Sequence, residues 1–130
     1  MSKADLGDCP VQVTVSARSE VGQVRERNED SLLLGSLDRG ELVELSDKSS
    51  ELTGRRGLLA VVCDGMGGAA GGDVASALAA ETIWAEMKAA QGSCARDVVA
   101  RLLRRAVRKA NRAIVDRGTK DRSLRGMGTT

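Results

Sequence analysis

An apolar run from Leu58 to Cys63 stops at Asp64 and gives way to glycines at 65, 67, 68, 71 and 72, after which a helical pattern begins. This stretch constrains the chain more than any other. A short, Val-containing run without polar interruption reads as a strand buried on both faces. A carboxylate at the end of such a strand is costly unless something pairs with it, and no basic residue lies nearby in sequence. The glycines remove side chains, so that backbone groups can approach whatever Asp64 holds. Carboxylate oxygen together with exposed carbonyl oxygen is the donor set of a hard cation such as Mg²⁺ or Mn²⁺. A plain strand-to-helix turn, capped by Asp64, accounts for the same residues, and the stretch alone does not choose between the two.

The remaining elements are placed around it. Residues 1–10 read as a flexible leader ending at Pro10. Val11 to Ala17 alternates apolar and polar, the pattern of a half-buried strand, and Ser19 to Gln23 reads as a turn. Val24-Arg25-Glu26-Arg27-Asn28-Glu29-Asp30 is a dense charged cluster running into Ser31-Leu32-Leu33-Leu34, a second strand. Charge clusters are usually solvated loops. Here the adjacent acids Glu29 and Asp30 stand at the mouth of an apolar strand, as Asp64 does, and Arg25 offers a guanidinium suited to clamping an oxyanion. Residues 38–57 are polar and glycine-punctuated, with a short edge hairpin through Leu42, Val43 and Leu45. Val74, Ala75, Leu78, Ala79, Ile83 and Met87 form an apolar stripe that predicts a helix over about Gly72 to Ala90, ended by Gly92. Ser93 is read as the N-cap of a second helix. That helix has Val99, Leu102, Leu103, Ala106, Ala110 and Ile114 on one face and a basic face, read as solvated, opposite. Gly118 is read as its stop. Gly126 to Thr130 looks like the start of a strand.

Composition narrows the chemistry. The 130 residues suit one domain, and 42% hydrophobic with 29% charged residues is globular rather than disordered. Trp84 is the only aromatic residue, so nucleic-acid binding by base stacking has no support, and a net charge of +2 does not by itself imply a polyanion partner. The absence of histidine excludes a Ser-His-Asp triad, a Cys-His pair and His-ligated zinc within the chain. Three widely spaced cysteines, Cys9, Cys63 and Cys94, form no disulfide framework and suit a reducing cytoplasm. No apolar run approaches the length of a membrane span, and no apolar segment follows Met1 as a signal peptide would.

Gly65-Met66-Gly67-Gly68-Ala69-Ala70 fits the dinucleotide fingerprint G-x-G-x-x-A. Asp64 would, however, set a negative charge beside the pyrophosphate, and a second helix follows where a parallel strand is needed. A P-loop lysine is missing. A cysteine phosphatase would need arginine six positions after its nucleophile, and both Ala69 and Ala100 occupy those places.

Four segments taken together are more specific. Val24-Arg25 through Asn28-Glu29-Asp30-Ser31, Val62 through Gly68, Gly71-Gly72-Asp73-Val74-Ala75-Ser76, and Met127-Gly128-Thr129-Thr130 occur in the order of the bacterial metal-dependent serine/threonine protein phosphatases of type 2C, the PPM family, which the chain resembles. The resemblance implies an α+β fold, an α/β/β/α sandwich of two sheets flanked by antiparallel helix pairs. The chain, over residues 11–130, corresponds to the N-terminal portion of that single domain, with the C-terminal half absent. It implies two Mg²⁺ or Mn²⁺ ions, with Asp64, Glu29 and the Gly65 carbonyl as ligands, Asp30 orienting water behind them, and Arg25 binding the phosphate. Water activated by the metal pair attacks phosphorus in line, without a covalent intermediate. Met66 stands where some relatives carry a histidine that protonates the leaving group, so water delivers that proton. The implied partners are phosphorylated proteins, substrates of a serine/threonine kinase, in the cytoplasm, with no nucleic acid and no membrane span. Because the family's remaining aspartates lie in the missing part, this segment alone is expected to be inactive. A truncated, non-catalytic domain binding phosphopeptide or a partner is the alternative.

Overall fold

The computed structural model describes residues 11–45, 49–67, 71–90 and 94–130. The leader, the expected stop at Gly92 and the expected cap at Ser93 lie outside the described residues. The fold is α+β: strands β1 (Val11–Val15), β2 (Asp30–Ser36), β3 (Glu41–Leu42), β4 (Ser49–Thr53) and β5 (Leu58–Met66) are followed by helices α1 (Gly72–Ala89) and α2 (Arg96–Lys120), a 3₁₀ turn (Arg122–Leu124) and β6 (Gly128–Thr129). One sheet has four strands in the order β3-β2-β5-β6; a separate two-stranded sheet pairs β1 with β4. All these pairings are antiparallel.

The central strand departs from its expected burial. Leu59, Val61 and Cys63 point into the core, whereas Val62, between them, is 71% exposed. Both helices lie on one side: α1 packs on β5 and β2, and α2 packs on α1. The other face of β5 is open, so the run from Leu58 to Cys63 is buried on one face only. Strand pairing also carries β5 past Cys63, through Asp64 and Gly65 to Met66. The small side chains of Ala75, Ala79, Ala80, Ala106 and Ala110, all buried, let the helices approach closely, and Ile83, Met87 and Ile114 fill the remaining space.

Other boundaries shift for local reasons. The first strand stops at Val15 rather than Ala17. Leu42 pairs with β2, so β3 closes a hairpin with β2, while Val43 and Leu45 lie beyond it. The strand at 49–53 was hidden in a polar stretch and exists by pairing with β1. Helix α2 runs through Gly118 to Lys120, and Ala95, which has no side-chain acceptor, stands at its N-cap. Val99 and Leu103, expected on its buried face, remain 38% and 39% exposed, because contact with α1 runs along Ala106, Ala110 and Ile114.

A polar clamp joins the sheet to the helix layer. The Asp38 carboxylate accepts from the backbone N–H groups of Gly54, Arg56 and Gly57 at 2.8, 2.9 and 3.0 Å. This fixes Arg56, whose guanidinium donates to the carbonyls of Leu37 at 2.8 Å and Ala90 at 2.7 Å, and to those of Met87 and Lys88 at 3.2 Å. A cation thereby satisfies the carbonyls left open at the C-terminal end of α1. Among the described residues, no helix is long and apolar enough to cross a membrane.

Candidate active site

The ends of β2 and β5 set the site. In their ladder Asp30 stands directly opposite Asp64. Residues paired across an antiparallel ladder project on the same face, and both aspartates are exposed. Two like charges so placed repel, a cost that a bound cation would relieve. Glu29, one residue earlier, is turned toward the helix layer and is 9% exposed. Its carboxylate accepts from Arg25 Nη1 at 2.8 Å, so Arg25, itself largely exposed, is engaged with Glu29 in this structure.

Asp30 is held from two sides. Ser19 Oγ donates to its Oδ2 at 3.0 Å, and Asn28 Nδ2 donates to Ser19 Oγ at 2.7 Å. The Asp30 N–H in turn donates to Asn28 Oδ1 at 3.0 Å. Asp64 is held through its backbone. Its N–H donates to the Thr130 carbonyl and its carbonyl accepts from the Thr130 N–H, both at 3.0 Å, while Thr129 Oγ1 donates to the same carbonyl at 2.9 Å. The Asp64 side chain is thus anchored at its root by β6.

Gly65 is required by packing. A Cβ there would meet the Gly72 carbonyl oxygen at 2.2 Å and the Glu29 carbonyl oxygen at 2.5 Å. The Gly65 N–H donates to that Glu29 carbonyl at 3.1 Å. Gly71, at φ 94°, takes a left-handed conformation at the N-cap of α1, which lets the chain turn from the strand end into the helix. A Cβ on Gly72 would approach Glu29 Oε1 to 2.8 Å, so the glycines bring the start of α1 against the Glu29 carboxylate. The result is an open cleft of about 940 Å³ with Arg25, Glu29, Asp64, Gly65 and Asp73 on its wall.

The chain is similar to bacterial serine/threonine phosphatases. Proteins named serine/threonine phosphatase Stp from Listeria innocua, Listeria monocytogenes and Listeria welshimeri are each 29% identical to it over 113 residues, 87% of this chain. The chain spans 38% of the length of these relatives. No family profile matches the chain, and no solved structure matches it.

The four sequence-predicted cleft residues, Arg25, Glu29, Asp64 and Gly65, come together. Asp30 does not line the cleft but faces Asp64 across the ladder. Two further residues join the site: Asp73 lines the cleft, and Ser19 holds Asp30. Nothing in the local sequence marks Ser19, whose role comes from the turn that carries it back to Asp30. The expected ligands on the cleft wall, the Glu29 and Asp64 carboxylates and the Gly65 carbonyl, offer oxygen, as a hard cation prefers, beside the guanidinium of Arg25. Among the described residues, however, no three Asp, Glu, Cys or His side chains converge closely enough to hold a metal ion together. The carboxylate and carbonyl oxygens fit the chemistry of Mg²⁺ or Mn²⁺, but these groups alone do not make up a metal site. Cys63, next to Asp64, is a free, buried cysteine: burial pushes its thiol up, against a smaller lowering by the Thr129 hydroxyl, the reverse of the shift that activates a nucleophilic cysteine.

Proposed function

We propose that the chain carries part of the catalytic centre of a metal-dependent protein serine/threonine phosphatase. The observation that carries this reading is the register of Asp30 opposite Asp64 beside a glycine turn that leaves no room for side chains. Asp64, Glu29 and the Gly65 carbonyl would hold Mg²⁺ or Mn²⁺, which would supply positive charge for activating water and neutralising a phosphoryl group. Asp30, oriented by Ser19 and Asn28, would accept a hydrogen bond from the attacking water. Arg25 would bind a phosphate oxygen, exchanging or sharing its contact with Glu29. The substrates would be phosphoserine and phosphothreonine proteins in the cytoplasm. In this reading the open face of β5 is the one that a second sheet covers in an α/β/β/α sandwich, and a complete two-ion site draws on carboxylates beyond this cluster. The absence, among the described residues, of three converging ligand groups favours one second reading, a domain that binds phosphopeptide without turnover.

Manganese binding followed by electron paramagnetic resonance, alongside phosphate release from a phosphoserine peptide, tests both readings. Mn²⁺ is expected to bind the wild-type chain, and Asp64→Asn to weaken that binding on the order of tenfold or more. Unchanged Mn²⁺ affinity in a folded Asp64→Asn chain would overturn the site. The hydrolysis arm is run on the chain joined to the C-terminal part of a matched Listeria relative, because the segment alone is expected to be inactive: metal-dependent hydrolysis there, lost in Asp64→Asn, identifies the phosphatase, and metal-dependent peptide binding without hydrolysis identifies the binding domain.

A further inference from the structure

Helix α2 concentrates charge that the rest of the chain does not share. It carries nine Lys and Arg residues against two aspartates, a surplus of seven, whereas the whole chain has a net charge of +2. Glu86 on α1 takes two of these cations, Lys109 at 2.5 Å and Arg105 at 3.7 Å. Arg104, Arg108 and Arg112 form a row at i, i+4 and i+8, one step of about 100° from Arg105 and Lys109 and facing away from the buried Ala106, Ala110 and Ile114, and among the described residues no carboxylate pairs with them. Like charges at this spacing disfavour the helix, so the row costs stability unless an anion meets it.

Beside that row lies an apolar one. Val99, Leu103, Val107 and Val115 are 38–57% exposed. Each step along a helix turns about 100°, so this row lies between the buried row of Ala106, Ala110 and Ile114 and the arginine row. Apolar and cationic surface thus run in parallel along one flank of α2.

We propose that this flank docks an acidic amphipathic helix of another protein, its aliphatic stripe packing on Val99, Leu103 and Val107 and its carboxylates meeting Arg104, Arg108 and Arg112. Charge complementarity decides the occupant. A second copy of the chain would bring two strongly basic helices together, and they would repel. An anionic membrane is the poorer match: no aromatic side chain stands on α2 to anchor at a lipid interface, and the apolar row is only partly exposed. A helix lying along the flank reaches both rows.

The probe is a panel of fluorescein-labelled 20-residue helical peptides with Leu at i, i+4 and i+7 and Glu on both borders, read by fluorescence anisotropy with the full chain. A control set has the same composition in scrambled order, and a second probe is vesicles of phosphatidylserine and phosphatidylcholine. At least one patterned peptide is expected to bind, with affinity falling about tenfold or more in 0.5 M NaCl. Arg104→Glu/Arg108→Glu, at exposed positions, should weaken binding by a similar factor while leaving the circular dichroism spectrum unchanged; Leu103→Ser provides the apolar counterpart. Failure of the whole panel to bind, equal binding of the scrambled peptides, or capture by vesicles without peptide binding would each overturn the proposal. None of these outcomes depends on the cleft or on metal, so this reading and the phosphatase reading stand or fall separately.

Discussion

Replacing Gly35 by alanine would press a methyl group into the face of the only aromatic ring in the chain. A Cβ at position 35 would lie 2.3 Å from Trp84 Cζ3 and 2.7 Å from its Cε3 and Cη2. Carbon atoms rest about 3.5–4.0 Å apart, so the ring would have to retreat by more than an ångström. It has little room, since Trp84 is packed against the core cluster, and Lys88 Nζ stands over the ring 5.8 Å from its centroid. Overpacking of this kind costs about 1–3 kcal/mol; the middle of that range lowers the melting temperature of a domain this size by about 8 °C. The assay is urea unfolding followed by tryptophan fluorescence. With one Trp and no Tyr or Phe, the whole signal reports on Trp84. Gly35→Ala is expected to lower the midpoint and shift native emission to the red. In a Trp84→Leu background, followed by circular dichroism, the same substitution should cost markedly less, because the two positions interact. A Gly35→Ala chain within about 0.5 kcal/mol of wild type, with unshifted emission, would refute the contact.

Gly65→Ala should be harsher, on the order of 3 kcal/mol, because the Cβ meets backbone oxygens on two sides rather than a side chain; a thermal melt near wild type would show that β2 and α1 do not close on this residue. The Asp38 clamp gives a pH dependence. Burial raises its carboxyl, but the three N–H donors and the Arg56 guanidinium outweigh this and hold it below its ordinary value of 3.8. A depressed folded-state value means that its contribution is present in full above about pH 4 and is lost as pH falls through the lower folded value. Asp38→Asn should therefore remove an acid-side loss of stability that wild type shows below pH 4, measured by urea midpoints from pH 2.5 to 6; identical profiles would dismiss the clamp.

What sequence reading missed follows from how each element is held. The run ending at Cys63 showed a strand, yet its burial depends on which face the helices choose, and Val62 shows that both lie on one side. The strand at 49–53 has no hydrophobic pattern; it is made by pairing with β1. On α2 the apolar positions span more than one row, and composition alone could not say that Ala106 and Ala110, rather than Leu103, meet the alanines of α1. At the site, the glycines and acids were legible because backbone approach and charge at strand ends are unusual. The facing of Asp30 and Asp64 was not, since register arises from the whole ladder. Nor was the engagement of Arg25 with Glu29, a contact that competes with the phosphate-binding role expected of it.

The anchoring of Asp64 by β6 has a kinetic consequence. Thr129 and Asp64 are 65 residues apart in sequence, with both helices between them. The β2–β3 hairpin and the α1–α2 pair form through short-range contacts, whereas the Asp64–Thr130 bonds close a long loop whose entropy must be met before they contribute. The carboxylate at the cleft is therefore expected to gain its fixed position late in folding, after the helix layer has assembled and carried β6 back to the end of β5.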